Sequence, residues 1–127
     1  MGKLTPLRPI EAVRLERARL DEIYDSVGES QAEEIICRAM EELATRLAAM
    51  DQAYQSGDWS LLGKGARALA AIAGQMGMTT MSRVASDVRL CAERGDAAAL
   101  GAVLARLMRT SERSLTAVWG NPAGLSG

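Results

Sequence analysis

Histidine and phenylalanine are absent from this chain, and cysteine, proline, tyrosine and tryptophan each occur only two or three times in 127 residues. Each gap excludes chemistry. Without imidazole there is no His-activated nucleophile, no His metal ligand and no phosphohistidine. Cys37 and Cys91 lie far apart in helical patterns, with no Cys-x-x-Cys or Cys-x-x-His spacing. They read as buried small hydrophobes rather than as a disulfide, zinc or redox pair. Apolar runs stay short of the roughly 20 residues that cross a bilayer, and the N-terminus carries no signal-peptide core, which predicts a cytoplasmic protein without a membrane partner. Neither charge sign is in excess, with Lys plus Arg at 15 and Asp plus Glu at 16. That balance provides no basic field for nucleic acid and points to a protein partner or to none. Neither a metal nor a cofactor is expected.

What is present is helix-forming: Ala, Leu, Met, Glu and Arg dominate, and no segment alternates at period two. The length suits one domain with its own core. Residues 1–8, interrupted by Pro6 and followed by Pro9, are expected to be a mobile N-terminus, residues 9–119 a single helical domain, and residues 120–127 a frayed end after Gly120-Asn121-Pro122. From about Pro9 to Val27, Val13, Leu20, Ile23, Tyr24 and Val27 form a thin stripe opposite Arg14, Glu16, Arg17 and Arg19. Ser30-Gln31-Ala32-Glu33 has the form of a capping box. After it, Ile36, Met40, Leu43, Leu47, Met50 and Tyr54 recur at steps of four and three, predicting a helix of about 25 residues. Gly57 suits a helix end and Asp58 the next cap. Thr79 or Thr80 is expected to cap a fourth helix with the stripe Met81, Val84, Val88, Cys91 and Ala92. Arg94-Gly95-Asp96 repeats the end-and-cap pattern before a fifth helix with Leu100, Val103, Leu104, Leu107, Ser111, Leu115 and Val118 inward. Short turns between long helices predict an all-α, up-and-down antiparallel four-helix bundle from the second to fifth helices, with the first laid across one end or edge.

The third helix, from about Trp59 to Met76, is unusual. Leu62, Ala66, Leu69, Ala73 and Met76 make an ordinary core stripe, while Gly63, Lys64, Arg67, Ala70, Ala71 and Gly74 occupy the other side. Exposed helix faces usually carry Glu, Lys and Gln, and each interior glycine costs about 0.5–1 kcal/mol relative to alanine. Such smoothness serves either close packing of another helix or a docking surface with cations at its centre. In an antiparallel hairpin about residues 56–57, Arg46 falls level with Arg67, and Ala49 and Ala53 continue the smooth surface.

Catalytic constellations are missing. Glu33-Glu34 and Glu41-Glu42 lie on polar faces where solvated charge is the ordinary role. The run Gly63-Lys64-Gly65 lacks the spacing of a phosphate loop, and no Glu-x-x-His is present for a di-iron site.

The order of parts nevertheless resembles the histidine-containing phosphotransfer (Hpt) domain over residues 30–118. The likeness rests on a helix ending at Gly57-Asp58-Trp59, a helix centred on Ala66-Arg67-Ala68-Leu69-Ala70-Ala71 and a break at Met76-Gly77-Met78. It continues in Cys91-Ala92-Glu93-Arg94-Gly95-Asp96 before a last long helix. That family is a four-helix bundle of bacterial two-component phosphorelays. Its signature is an exposed His followed by x-Leu-Lys-Gly and a small polar pair, with Leu-Gly at the helix end. Carried across, the His position holds Arg67 and the Leu is kept as Leu69. The Lys and Gly become Ala70 and Ala71, the polar pair becomes Ile72 and Ala73, and Leu-Gly becomes Met76-Gly77. An arginine has no basic lone pair at neutral pH and cannot play the role of the His.

The resemblance therefore implies a non-catalytic relative that binds a response-regulator receiver domain or a histidine kinase as competitor or adaptor, through Gly63, Lys64, Arg67, Ala70, Ala71, Gly74 and Arg46. It is expected to be a monomer or weak homodimer; the alternative is a structural module that dimerises through its Gly/Ala face. Incubation with an autophosphorylated kinase or a phosphorylated receiver is expected to leave no acid-labile phosphate on this chain, and phosphoramidate detected on it would refute the inactive assignment.

Overall fold

The computed structural model describes residues 16–119, with side chains through Thr116. The expected N-terminal segment 1–8, residue Val13, the side chain of Val118 and the C-terminal segment 120–127 lie outside these described residues. The described chain is all-helical: α1 (Arg17–Val27), α2 (Glu29–Ser56), α3 (Trp59–Gln75), α4 (Thr79–Arg94) and α5 (Ala97–Trp119). Successive helices pack against each other, and α5 also touches α2, where Gly101 faces the Tyr54 hydroxyl. Among the described residues no helix is long and apolar enough to cross a membrane.

The stripes close one core. Ile36, Met40, Leu43, Leu47 and Met50 from α2 meet Leu62, Ala66, Leu69 and Ala73 from α3, Met81, Val84 and Val88 from α4, and Leu100, Leu104 and Leu107 from α5. Met40, Met50, Met76, Met78 and Met81 are all buried, their unbranched thioethers filling space that no aromatic ring occupies. Tyr54, Cys91, Val103 and Leu115 sit at the core margin.

Three helices stop in the same way. After α2, α3 and α4, Gly57, Gly77 and Gly95 adopt left-handed backbone, with φ of 75°, 78° and 69°. At the end of α3 the Met78 N–H donates to Ala73 O at 2.8 Å and the Gly77 N–H to Gly74 O at 3.1 Å, the paired bonds that satisfy a helix's last carbonyls. Asp58 caps α3 and Asp96 caps α5, their carboxylates accepting from the N–H of Leu61 at 3.0 Å and of Ala99 at 3.1 Å.

Several expectations are corrected. The first helix begins at Arg17 rather than running unbroken from Pro9, because Glu16 is extended and its N–H is taken by Gly77 O at 2.8 Å. Val27, expected inward, is 37% exposed beside the Gly28 break. The chain turns on Gly28 alone, so α2 starts at Glu29. Ser30 is already inside its first turn and makes no capping bond. Likewise α4 starts at Thr79 behind Met78, leaving neither Thr79 nor Thr80 at the cap position. Cys37 is exposed rather than buried, and both cysteines are free.

Gly77 is held by more than its own turn. A Cβ there would lie 2.6 Å from the Glu16 carbonyl oxygen and 3.1 Å from Arg19 Cβ, whereas at Gly57 it would meet nothing. Gly57→Ala should cost only the left-handed backbone strain, about 1–3 kcal/mol, while Gly77→Ala should cost clearly more. Denaturant unfolding of the two variants checks this; equal losses would show that α1 does not seat on the α3–α4 turn.

Candidate functional site

The site is set by how α3 meets its two neighbours. On the α4 side, a Cβ at Gly63 would be 3.7 Å from Ala92 Cβ, and one at Gly74 would be 3.5 Å from Ser82 Oγ. The Ser82 hydroxyl donates to Ala70 O at 2.8 Å, tying the two helices between those contacts. On the α2 side, a Cβ at Gly65 would be 2.9 Å from Met50 Cγ, so only glycine admits that thioether without a shift.

Half of the strip is therefore packing surface. Gly63, Ala70 and Gly74 are half-buried toward α4, and Ala53 is buried in the core rather than extending an outer face. Lys64, Arg67 and Ala71 remain exposed.

The antiparallel run from Gly63–Ala92 to Gly74–Ser82 brings Arg67 level with Val88 and Arg89. Over this seam lies an open cleft of about 390 Å³, lined by Trp59, Ser60, Gly63, Lys64, Arg67, Arg89, Ala92 and Glu93. Trp59 stacks on Tyr54, ring centroids 5.6 Å apart, which fixes the cleft's end wall. Arg89 Nη1 donates to Glu93 Oε2 at 2.8 Å.

Arg46 belongs elsewhere. It lines a smaller apolar groove between α2 and α3, of about 180 Å³, with Ala49, Met50, Leu61, Lys64 and Gly65, and it is held by Glu42 at 2.9 Å. Lys64 stands on the ridge between groove and cleft and lines both, one turn ahead of Arg67. The expected pairing of Arg46 with Arg67 is thus replaced by Arg46 with Lys64 and Arg67 with Arg89. Beside the groove, Leu61 is 54% exposed.

Sequence reasoning missed Trp59, Arg89 and Glu93. Arg89 and Glu93 look like an i,i+4 pair on a solvated face, and only the α3–α4 register turns them toward Arg67. Arg67 has no carboxylate at helical spacing, since positions three and four away are Gly63, Lys64, Ala70 and Ala71. Arg38, Arg46 and Arg89, in contrast, each bind a glutamate four residues away, at 3.0, 2.9 and 2.8 Å. Among the described residues no three of His, Cys, Asp and Glu converge as metal ligands.

No protein-family model, no curated protein and no solved structure matches this chain.

Gly63 and Gly65 separate on physical grounds. A 3.7 Å contact is ordinary van der Waals distance, so Gly63→Ala should stabilise α3 by about 0.5–1 kcal/mol through its helix propensity. Chemical denaturation measures this. A loss of stability would show that α4 lies against Gly63 too tightly for a methyl group.

Proposed function

We propose that this chain is a non-catalytic, Hpt-like binding module of a bacterial phosphorelay, docking a receiver domain or a histidine kinase without accepting phosphate. The finer architecture belongs to the same reading: α2 to α5 as an up-and-down antiparallel four-helix bundle, with α1 as an added N-terminal helix. Supporting it are the turns of two or three residues between α2, α3, α4 and α5, the packing of each helix on the next, and the contact of α5 with α2. Leu69, kept from the family's signature, is fully buried, while Arg67 at the phosphoacceptor position is exposed mid-helix.

The observation that carries the proposal is Arg67 itself, an outward cation on the wall of a cleft with no ion pair to a described residue. A free guanidinium beside Lys64 suits a partner that presents carboxylates, and receiver domains offer an acidic pocket where the family's His enters. Homodimerisation is the alternative. The half-buried setting of Gly63, Ala70 and Gly74 weighs against it, and light scattering over a range of concentrations decides it.

Binding should separate from folding at Arg67. Arg67→Ala should leave thermal stability nearly unchanged, yet weaken a receiver or kinase complex by about 2 kcal/mol, roughly thirtyfold in Kd. Arg67→Glu should weaken it further through like-charge repulsion. Calorimetric titration against purified receiver domains and kinases measures both, and undiminished affinity of Arg67→Ala for a bound partner would refute the docking role.

A further inference from the structure

Within the α3–α4 cleft, three cations face one carboxylate. Lys64 and Arg67 rise from α3 without an ion pair to a described residue, while Arg89 rises from α4 and is held by Glu93, which lines the same cleft. We propose that Glu93 is a built-in competitor: its carboxylate engages Arg89 in the free protein and must yield when a partner segment carrying clustered carboxylates enters the cleft. This inference rests on the proposed docking role, which it deepens by naming the ligand chemistry and the group that opposes it.

Geometry and charge both point to a protein carboxylate. The cleft has room for side chains but is open on its outer side, whereas small-molecule sites enclose most of their ligand. Arg67 and Arg89 project from two different helices at one level, with Lys64 a turn away on α3, an arrangement that meets neighbouring carboxylates better than one isolated charge. The Arg89 side chain is 30% exposed and that of Glu93 55% exposed. Arg89 therefore keeps its place in the wall while Glu93 is the partner free to swing into solvent. A pair so exposed is weak, because water and salt screen it. An incoming carboxylate can take over the Arg89 donor at small cost, and Glu93 then repels it from the rim. Removing that charge should tighten binding, and the effect should fade as ionic strength rises. A merely structural i,i+4 pair would behave otherwise: its loss would lower helix stability slightly and leave anion affinity unchanged.

Trp59 in the cleft wall is a natural reporter, and Trp119→Phe makes it the sole tryptophan. The probe is a blocked tetra-aspartate peptide, with its tetra-asparagine counterpart and inorganic phosphate at matched ionic strength as controls; calorimetry on the unsubstituted chain provides the same ratios without touching Trp119. The aspartate peptide should change Trp59 emission saturably. Glu93→Gln should lower the half-saturation concentration roughly two- to fivefold at low salt, and Arg89→Gln should raise it. No saturable response, an unchanged or weaker midpoint in Glu93→Gln, or an equal response to phosphate would overturn the inference, the last by making the cleft a free-oxyanion site. If purified receivers and kinases fail to bind while the peptide results hold, the phosphorelay reading falls and the acidic-segment cleft stands.

Discussion

The close approach of α3 and α4 is the constraint on which the described arrangement depends. Small residues face each other at Gly63 and Ala92 and at Gly74 and Ser82, and the Ser82 hydroxyl bonded to Ala70 O fixes the register of the two helices. A single large side chain at any of these positions would push the helices apart or slide one along the other. With register set, Arg67 falls opposite Arg89, Trp59 closes one end, and the cleft exists. Thus the small residues that suggested a surface serve mainly to place charged ones.

Helix termination acts as the second constraint. Three left-handed glycines end α2, α3 and α4, and two of them are followed at once by a capping aspartate, so each connection needs only two or three residues. Such turns leave little freedom in how neighbouring helices are offset. Gly77 does more, because its carbonyl accepts from the N–H of Glu16 and its missing side chain makes room for the start of α1.

Much of this was legible in the sequence, and the failures have physical causes. The stripe of α2, the glycine at residue 57 and the caps at Asp58 and Asp96 depend on local spacing, which residue types disclose directly. The capping box at Ser30 failed because Gly28 alone breaks the chain and stands at the cap itself, two residues before Ser30. Thr79 failed for the same reason, since Met78 already stands at the cap with its N–H given to Ala73 O. Ala53 and Cys37 went to opposite environments from those expected, because a helix face is decided by which neighbour covers it and not by the residue's size. The cleft was the least readable feature. Arg89 and Glu93 are ordinary at helical spacing, and their meaning depends on a contact between residues that lie on different helices.

The seating of Glu16 on Gly77 also orients the molecule. Gly77 follows the end of α3, whereas Trp59 lies at its beginning, a helix of 17 residues away or about 25 Å at roughly 1.5 Å per residue, and the cleft reaches from there to Arg67 at mid-helix. At residue 16 the chain therefore stands at the far end of α3 from Trp59, with Arg67 about midway between.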